Sequence, residues 1–420
     1  MLIQANAPRK PIRLAFVALF VLGLFLLIVP CLSTSTFCGR IVRWGTPDFD
    51  DYKRMPQRVI EHDETAVFHF TPATSTSPLH TYKVEGEPLT AFLERTDTTA
   101  FIVIQDDQLL YEGYFNGYAQ ADINHAYSAT KSFLSALIGI AIDEGHIASV
   151  TDPVTNYIPE LGSAYDGITL RHLLQMQSGI AYSDPEILGV AVPWGDGTVQ
   201  TYGTDLRQSV LGKPIIEPPA TTWDYNSTNS ILLGMVLERA TGLPIGDYLE
   251  AEIWRPLGMA YPAIWSVDSE ENGLELSGKG LYARPIDFAK FGRLMANNGS
   301  WNGQQIISEA WVRESTLYND PNQLVPKQLE ALIPQALVAG EITADFAAKV
   351  TPTRYQYHWW GYEKNGRYDF AAVGYAAQFI YISPDSKTVI VRNGTTRGGL
   401  QDPEWNHLFF ELVTNLTQEQ

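Results

Sequence analysis

The sequence predicts an α+β domain whose sheet is assembled from both ends of the chain around a mainly helical middle. Three observations predict it. Residues 100–105 and 109–115 are β-branched and aromatic runs on either side of a polar Asp106-Asp107-Gln108, which reads as a hairpin. From about residue 150 to 320 helical patterns dominate, interrupted by many Gly and Pro. Strand composition returns at 355–362, 367–373, 378–382 and 388–392. Strands that bracket a helical insertion come together in one sheet that the helices cover.

Taken in order, residues 1–13 carry Arg9, Lys10 and Arg13 and read as a cytoplasmic N-terminus. Residues 14–32 are uncharged and nearly all apolar, about the length that crosses a bilayer as a helix. The basic flank orients such a span with the remainder outside the cytoplasm, on the periplasmic or extracellular side. No Ala-x-Ala site follows the run, so a single uncleaved signal anchor is expected rather than a cleaved signal peptide. Residues 33–89, rich in Thr, Ser, Pro and acidic side chains, read as a tether and irregular lead-in. The main globular domain is expected over 90–420, with Thr90 capping a short helix at its start.

Within that domain the stretch His125–Gly145 organises the rest. It is apolar on every side from Phe133 to Ile142, which marks a buried helix, and Gly145 reads as its stop. Threonine 169 caps a helix that runs toward Gly179, a second helix ends at Gly242, and a third begins at Pro285. Residues 328–350 have the composition of a helical insertion, and 405–413 form a closing helix. Asp152 and Asp287 read as helix caps, and His125 as a capping or packing residue.

With 45% hydrophobic and 18% charged residues the 420-residue chain has ample material for a core. Its net charge of -18, with no basic run to offset it, excludes nucleic acid as a partner. Both cysteines, Cys31 and Cys38, precede the globular part, which excludes a cysteine nucleophile or cysteine metal site there. They are free to pair with each other, though nothing in the sequence requires it. The eight His show no His-Glu-x-x-His spacing, so a metal site is not expected.

The candidate chemistry begins with Ser128 and Lys131, one helical turn apart at the N-terminal mouth of the buried helix. About one Ser-x-x-Lys spacing is expected by chance in a chain this long, so the apolar context carries the reading. A lysine drawn into an apolar site loses its preference for the ammonium form, and a serine beside a free amine is an activated nucleophile. Tyr225, in the polar loop Trp223-Asp-Tyr-Asn-Ser ahead of a helix, is a candidate second acid/base, with its phenol made more acidic if it lies near the lysine. The small-residue break Gly374-Tyr375-Ala376-Ala377-Gln378 is a candidate oxyanion hole. Ser178 lacks a Gly-x-Ser-x-Gly setting and is not read as a nucleophile.

Ser128-x-x-Lys131, Tyr225-Asn-Ser and the Gly374 break, in this order, resemble the serine β-lactamases and penicillin-binding proteins. Tyr127-Ser-Ala-Thr-Lys-Ser, Ile168-Thr-Leu-Arg-His-Leu-Leu-Gln-Met-Gln-Ser-Gly-Ile and Pro256-Leu-Gly-Met are similar to the class C β-lactamase-related group. Within that group the similarity is greatest to aminohexanoate-oligomer hydrolases and family VIII esterase-like members, over about residues 101–413. The resemblance implies an antiparallel sheet flanked by helices plus a helical subdomain at about 150–320. It implies an acyl-enzyme on Ser128, Lys131 as its proton partner, Tyr225 as shared acid/base, and no cofactor. It also implies oxyanion donors from Ser128 and from 374–378, with Ser227 beside the substrate. The segments around 177–179 and Trp359 would line or support the cleft.

The departures matter. Ser227 stands where β-lactamases have the Asn of Tyr-x-Asn, and no Lys-Thr-Gly occupies the 374–378 region. Ala376-Ala377 stand where aminohexanoate relatives often have His-Gly. The expectation is therefore hydrolysis of a small neutral ester or amide. The alternatives are a β-lactamase or D-alanyl-D-alanine peptidase, or a noncatalytic cell-wall or peptide-binding module of the same fold.

Overall fold

A computed structural model describes residues 31, 33–45, 48–73, 77–184, 186–187, 190–191, 194–271, 273–317, 353–396 and 405–418. The expected membrane span, Cys31 apart, and the expected helix at 328–350 lie outside the described residues. Among the described residues no helix is long and apolar enough to cross a membrane.

The strands used below are β1 (Gln57–Ile60), β2 (Thr71–Pro72), β3 (Thr98–Gln105), β4 (Gln108–Tyr114), β5 (Asn124–His125), β6 (Ala263–Ser266), β7 (Leu281–Ala283), β8 (Thr353–Gln356), β9 (Trp359–Lys364), β10 (Arg367–Gly374), β11 (Gln378–Ser383) and β12 (Thr388–Gly394). The helices are α1 (Phe37–Trp44), α2 (Leu89–Arg95), α3 (Thr130–Asp143), α4 (Asp196–Tyr202), α5 (Ser227–Thr241), α6 (Pro285–Ala296) and α7 (Trp405–Gln418).

The main sheet has eight strands in the order β8-β9-β10-β11-β12-β3-β4-β2. The last long strand pairs antiparallel with the first, Val391 opposite Ile102, so the two ends of the chain meet in mid-sheet as the sequence predicts. The hairpin β3–β4 turns on Asp106 and Asp107, both left-handed at φ 44° and 67°, a conformation that Asp tolerates better than most residues.

Both faces of the central strands are covered. Ile102, Ile104, Ile380, Ile382, Val389 and Val391 face the large core that contains α3, α5 and α6. Phe101, Val103, Phe379, Tyr381 and Ile390 face a second core with α2 and α7. That is why β3 reads as an unbroken apolar run instead of an alternating one. Helix α6 lies so close to the sheet that a Cβ on Gly292 would sit 2.5 Å from Val389 Cγ1. Helix α3 packs on α6 through Phe133 stacked on Phe291, centroids 3.8 Å apart.

A smaller sheet, β1-β6-β7-β5, controls the site. Tyr282 of β7 is opposite His125 of β5, and Ala126 N–H donates to Leu281 O at 2.9 Å. The chain just before Ser128 is thereby stitched to the chain just after Lys279.

Several local expectations are corrected. Residues 33–89, expected as a tether and irregular lead-in, contain α1, β1 and β2, and β1 completes the small sheet. Cys31 and Cys38 are joined as a disulfide across the start of α1. The run 355–362 is two strands, β8 and β9, because Tyr357 and His358 are both left-handed and reverse the chain. The first residue of α2 is Leu89 after Pro88, with Thr90 inside the helix, so Thr90 is not its cap. Thr169 does cap its helix, which is only five residues long, Leu170–Leu174. Asp152 precedes Pro153 and accepts from Ser149 N and the Tyr157 hydroxyl rather than capping a helix. Asp287 lies in the first turn of α6 and accepts from Ala260 N and Tyr261 N of a different segment.

Candidate active site

Ser128 lies in a single 3-10 turn, Tyr127–Ala129, that leads into α3. The preceding Tyr127 has φ 45°, an uncommon conformation for a bulky residue that stores strain at the turn. Two contacts hold it there. Gly374 of β10 packs so tightly that a Cβ would lie 2.2 Å from Ala126 O, so a side chain there would displace the turn. Thr130 Oγ1 accepts from Leu281 N at 3.2 Å.

Lys131, on the first turn of α3, is buried at 1% exposure. Its Nζ donates to Ser128 Oγ at 3.3 Å and to Gly278 O at 2.7 Å. Burial, with a further contribution from the charge of Lys279, brings its pKa down to about 7. At neutral pH a large fraction of Lys131 is therefore a free amine aimed at the Ser128 hydroxyl.

Tyr225 sits just before α5, whose N-cap is the neighbouring Asn226: its Oδ1 accepts from Thr228 N and its Nδ2 donates to Ile180 O. The phenol of Tyr225 lies beside the Ser128 hydroxyl, which partly opposes the effect of burial on it, and Lys131 Nζ stands 5.0 Å from the ring centroid. The ring is backed by Trp360, stacked at 6.2 Å, and by Tyr355 at 6.0 Å. The sequence-based expectation of a more acidic phenol is reversed here. Burial pushes Tyr225 up to about 12, because an amine that is itself largely neutral lends the phenolate little charge. Tyr225 is thus a proton donor at neutral pH, and the base is the lysine.

The stretch 374–378 divides. Tyr375 is 66% exposed, meets Tyr127 edge-on at 5.5 Å and lines the cavity with Ser128. Ala376 and Ala377 are buried and both left-handed at φ 58° and 56°. Arg392, fully buried, donates to Ala376 O at 2.7 Å and Ala377 O at 3.0 Å. Gln378 does not reach the Ser128 cavity. Its amide donates to Gly394 O at 2.6 Å, and it lines a neighbouring cavity of about 290 Å³. Gly374 and Tyr375 thus border the Ser128 turn, while Arg392 and Gln378 hold the carbonyls of the stretch and of Gly394 behind it.

Ser128, Tyr225, Ser227 and Tyr375 open together onto one cavity of about 470 Å³. Trp359 supports the site from the core, 5.9 Å from Phe291, and Ser178 is buried in a bond to Asn229 Oδ1 at 2.7 Å. His125 packs, stacked between Tyr127 at 3.6 Å and Tyr282 at 3.9 Å. Burial lowers it to about 3, so it is neutral.

Lys279, Asp51 and Asp184 also line this cavity, and nothing in the sequence reading singled them out. The only local signal for Lys279 is its place between two glycines in Ser277-Gly-Lys-Gly. Asp51 had no signal, since it lies in the supposed tether.

A hydroxyl beside a free amine and a neutral phenol, on the wall of a cavity open to solvent, has the parts for acyl transfer. The Beta-lactamase family model matches residues 89–408. The chain is 28% identical over 384 residues to the 6-aminohexanoate-dimer hydrolase of Paenarthrobacter ureafaciens, covering 86% of this chain and 91% of that protein. It is 31% identical to Esterase EstB of Burkholderia gladioli over 145 residues, 31% of this chain and 36% of the esterase. A solved structure of a candidate 6-aminohexanoate-dimer hydrolase from Bacillus anthracis superposes with a TM-score of 0.69 at 22% identity, over 90% of this chain and 95% of that one, and supports the fold. With the model spanning most of the chain and the Ser-Lys-Tyr arrangement inside the matched region, the protein belongs to the Beta-lactamase family.

Proposed function

We propose that the protein is a serine hydrolase that cleaves an ester or amide bond of a small molecule through an acyl-enzyme on Ser128. The observation that carries this reading is the Ser128 hydroxyl bonded by Lys131 Nζ and sharing the wall of an open cavity with the Tyr225 phenol. The free amine of Lys131 takes the hydroxyl proton as Oγ attacks the carbonyl carbon. The negative charge that develops on the carbonyl oxygen is met by the N–H of Ser128 and an N–H of the 374–378 stretch. Tyr225 donates its proton to the departing oxygen or nitrogen and is reprotonated by the Lys131 ammonium. Water then enters along the same line, loses its proton to the same pair, and releases the acid.

The named relatives include an amide hydrolase and an esterase, which supports an ester or amide substrate. We further propose that the catalytic body lies outside the cytoplasm, tethered by residues 14–32. The apolar run with its basic flank supports this, as does the Cys31–Cys38 disulfide, because such bonds persist in oxidising compartments.

Labelling with a fluorophosphonate probe tests the activity. The expected result is covalent labelling of the wild type and none of Ser128→Ala. A folded wild type that never labels sinks the hydrolase reading in favour of a binding module. A panel of p-nitrophenyl esters, anilides and nitrocefin then separates esterase, amidase and β-lactamase.

A further inference from the structure

Lys279 lines this cavity and Lys131 stands buried behind its wall at Ser128, and one loop serves both. The loop 277–280 presents the Gly278 carbonyl to Lys131 Nζ at 2.7 Å. The next residue, Lys279, has its carbonyl bonded to His125 Nε2 at 2.6 Å and sends its own side chain across the cavity. There Nζ donates to Gly197 O at 3.1 Å and to Thr201 Oγ1, both on α4.

The surroundings of the two amines differ. Lys131 faces Ser128, Tyr225, the Gly278 carbonyl and, behind α3, the neutral ring of His358, whose Nδ1 lies 3.1 Å from Lys131 O. Among the described residues no carboxylate contributes to its charge balance, and Lys279 opposes its charge. Lys279 faces His125, Thr201 and the Gly197 carbonyl; burial lowers its pKa too, to about 8, but two carboxylates, Asp184 and Asp51, oppose that lowering and favour its charged form. The wall phenols Tyr127, Tyr182 and Tyr282 are raised by burial and stay neutral. When two cations crowd one poorly solvated site, the proton stays where carboxylates support it.

We propose that Lys279 is a positioning residue for the reaction: it holds the cavity's standing positive charge, so that its neighbour Lys131 works as a free amine. The inference rests on the hydrolase reading for its kinetic consequence but not for its electrostatic one.

The test titrates ε-13C-lysine signals in the wild type, Lys279→Met and Lys279→Arg, with Lys131 assigned through Lys131→Arg. Loss of the charge in Lys279→Met is expected to raise the Lys131 midpoint by about one pH unit, while Lys279→Arg leaves it in place. Asp184→Asn, which spares the loop, is expected to lower the Lys279 midpoint and raise that of Lys131. The acid limb of kcat/KM against pH should move with the Lys131 midpoint. An unmoved midpoint in Lys279→Met overturns the proposal. So does an equal loss of kcat at every pH, which would mark a merely structural lysine. A rise in KM confined to anionic substrates, with the limb unmoved, would make Lys279 a substrate anchor instead. Because the NMR midpoint needs no turnover, failure of the hydrolase reading would not be confused with failure of this one.

Discussion

Replacing Arg392 by lysine should damage catalysis from behind the active site. The guanidinium, fully buried and 4.4 Å from the Trp405 ring centroid, donates to Ala376 O, Ala377 O, Thr96 O and Thr396 O and to Thr98 Oγ1. A lysine has three donors radiating from one nitrogen and cannot reach this set. At least two buried carbonyls then lose their donor, at about 1–3 kcal/mol each, so the expected destabilisation is about 2–6 kcal/mol. The left-handed pair Ala376–Ala377 costs roughly 1–3 kcal/mol per residue to maintain and persists only because it is held. Released, it should withdraw the N–H donor nearest the Ser128 carbonyl site, and loss of one such donor costs about 10²–10³ in kcat. Urea unfolding and steady-state hydrolysis of a p-nitrophenyl ester read the two effects separately. A folded Arg392→Lys enzyme with kcat within twofold of wild type would refute the link between this arginine and the oxyanion site.

Other outcomes follow from the same geometry. Since Lys131 acts as the amine and its pKa is lowered to about 7, kcat/KM should rise as pH increases through that value; a pH-independent rate from 5 to 9 contradicts it. An amine normally protonated to 10.5 but held near 7 in the fold binds fewer protons folded than unfolded between those values. Stability should therefore rise with pH across that window, and Lys131→Met should abolish turnover yet melt higher than wild type at pH 6–7, by on the order of 1–4 kcal/mol. Tyr225→Phe should lower anilide hydrolysis about 10²–10⁴-fold but affect p-nitrophenyl esters far less, because a good leaving group does not need the phenol's proton; equal losses on both would remove Tyr225 as the leaving-group donor. Gly374→Ala should slow fluorophosphonate labelling at least tenfold, since its Cβ would meet Ala126 O at 2.2 Å and push the nucleophile turn aside; unchanged labelling would show that the turn yields without cost.

The sequence by itself determined what depends on neighbours along the chain. The one-turn spacing of Ser128 and Lys131, the all-round apolar helix behind them, the left-handed Gly242 that ends α5 and the Asp106-Asp107 hairpin are local geometry, and each is found in the fold. The pairing of the two chain ends was also legible, because a strand that is apolar on both faces must be central. What only the tertiary structure decided is where distant segments put charge and how deeply they bury it. Asp51 from the supposed tether, Asp184 and Lys279 reach one cavity from three segments far apart along the chain, which no periodicity encodes. The Tyr357-His358 reversal has no glycine to announce it. The phenol of Tyr225 went opposite to expectation for the same reason. Burial, a property of the whole fold, outweighed a neighbouring lysine that burial had already made largely neutral.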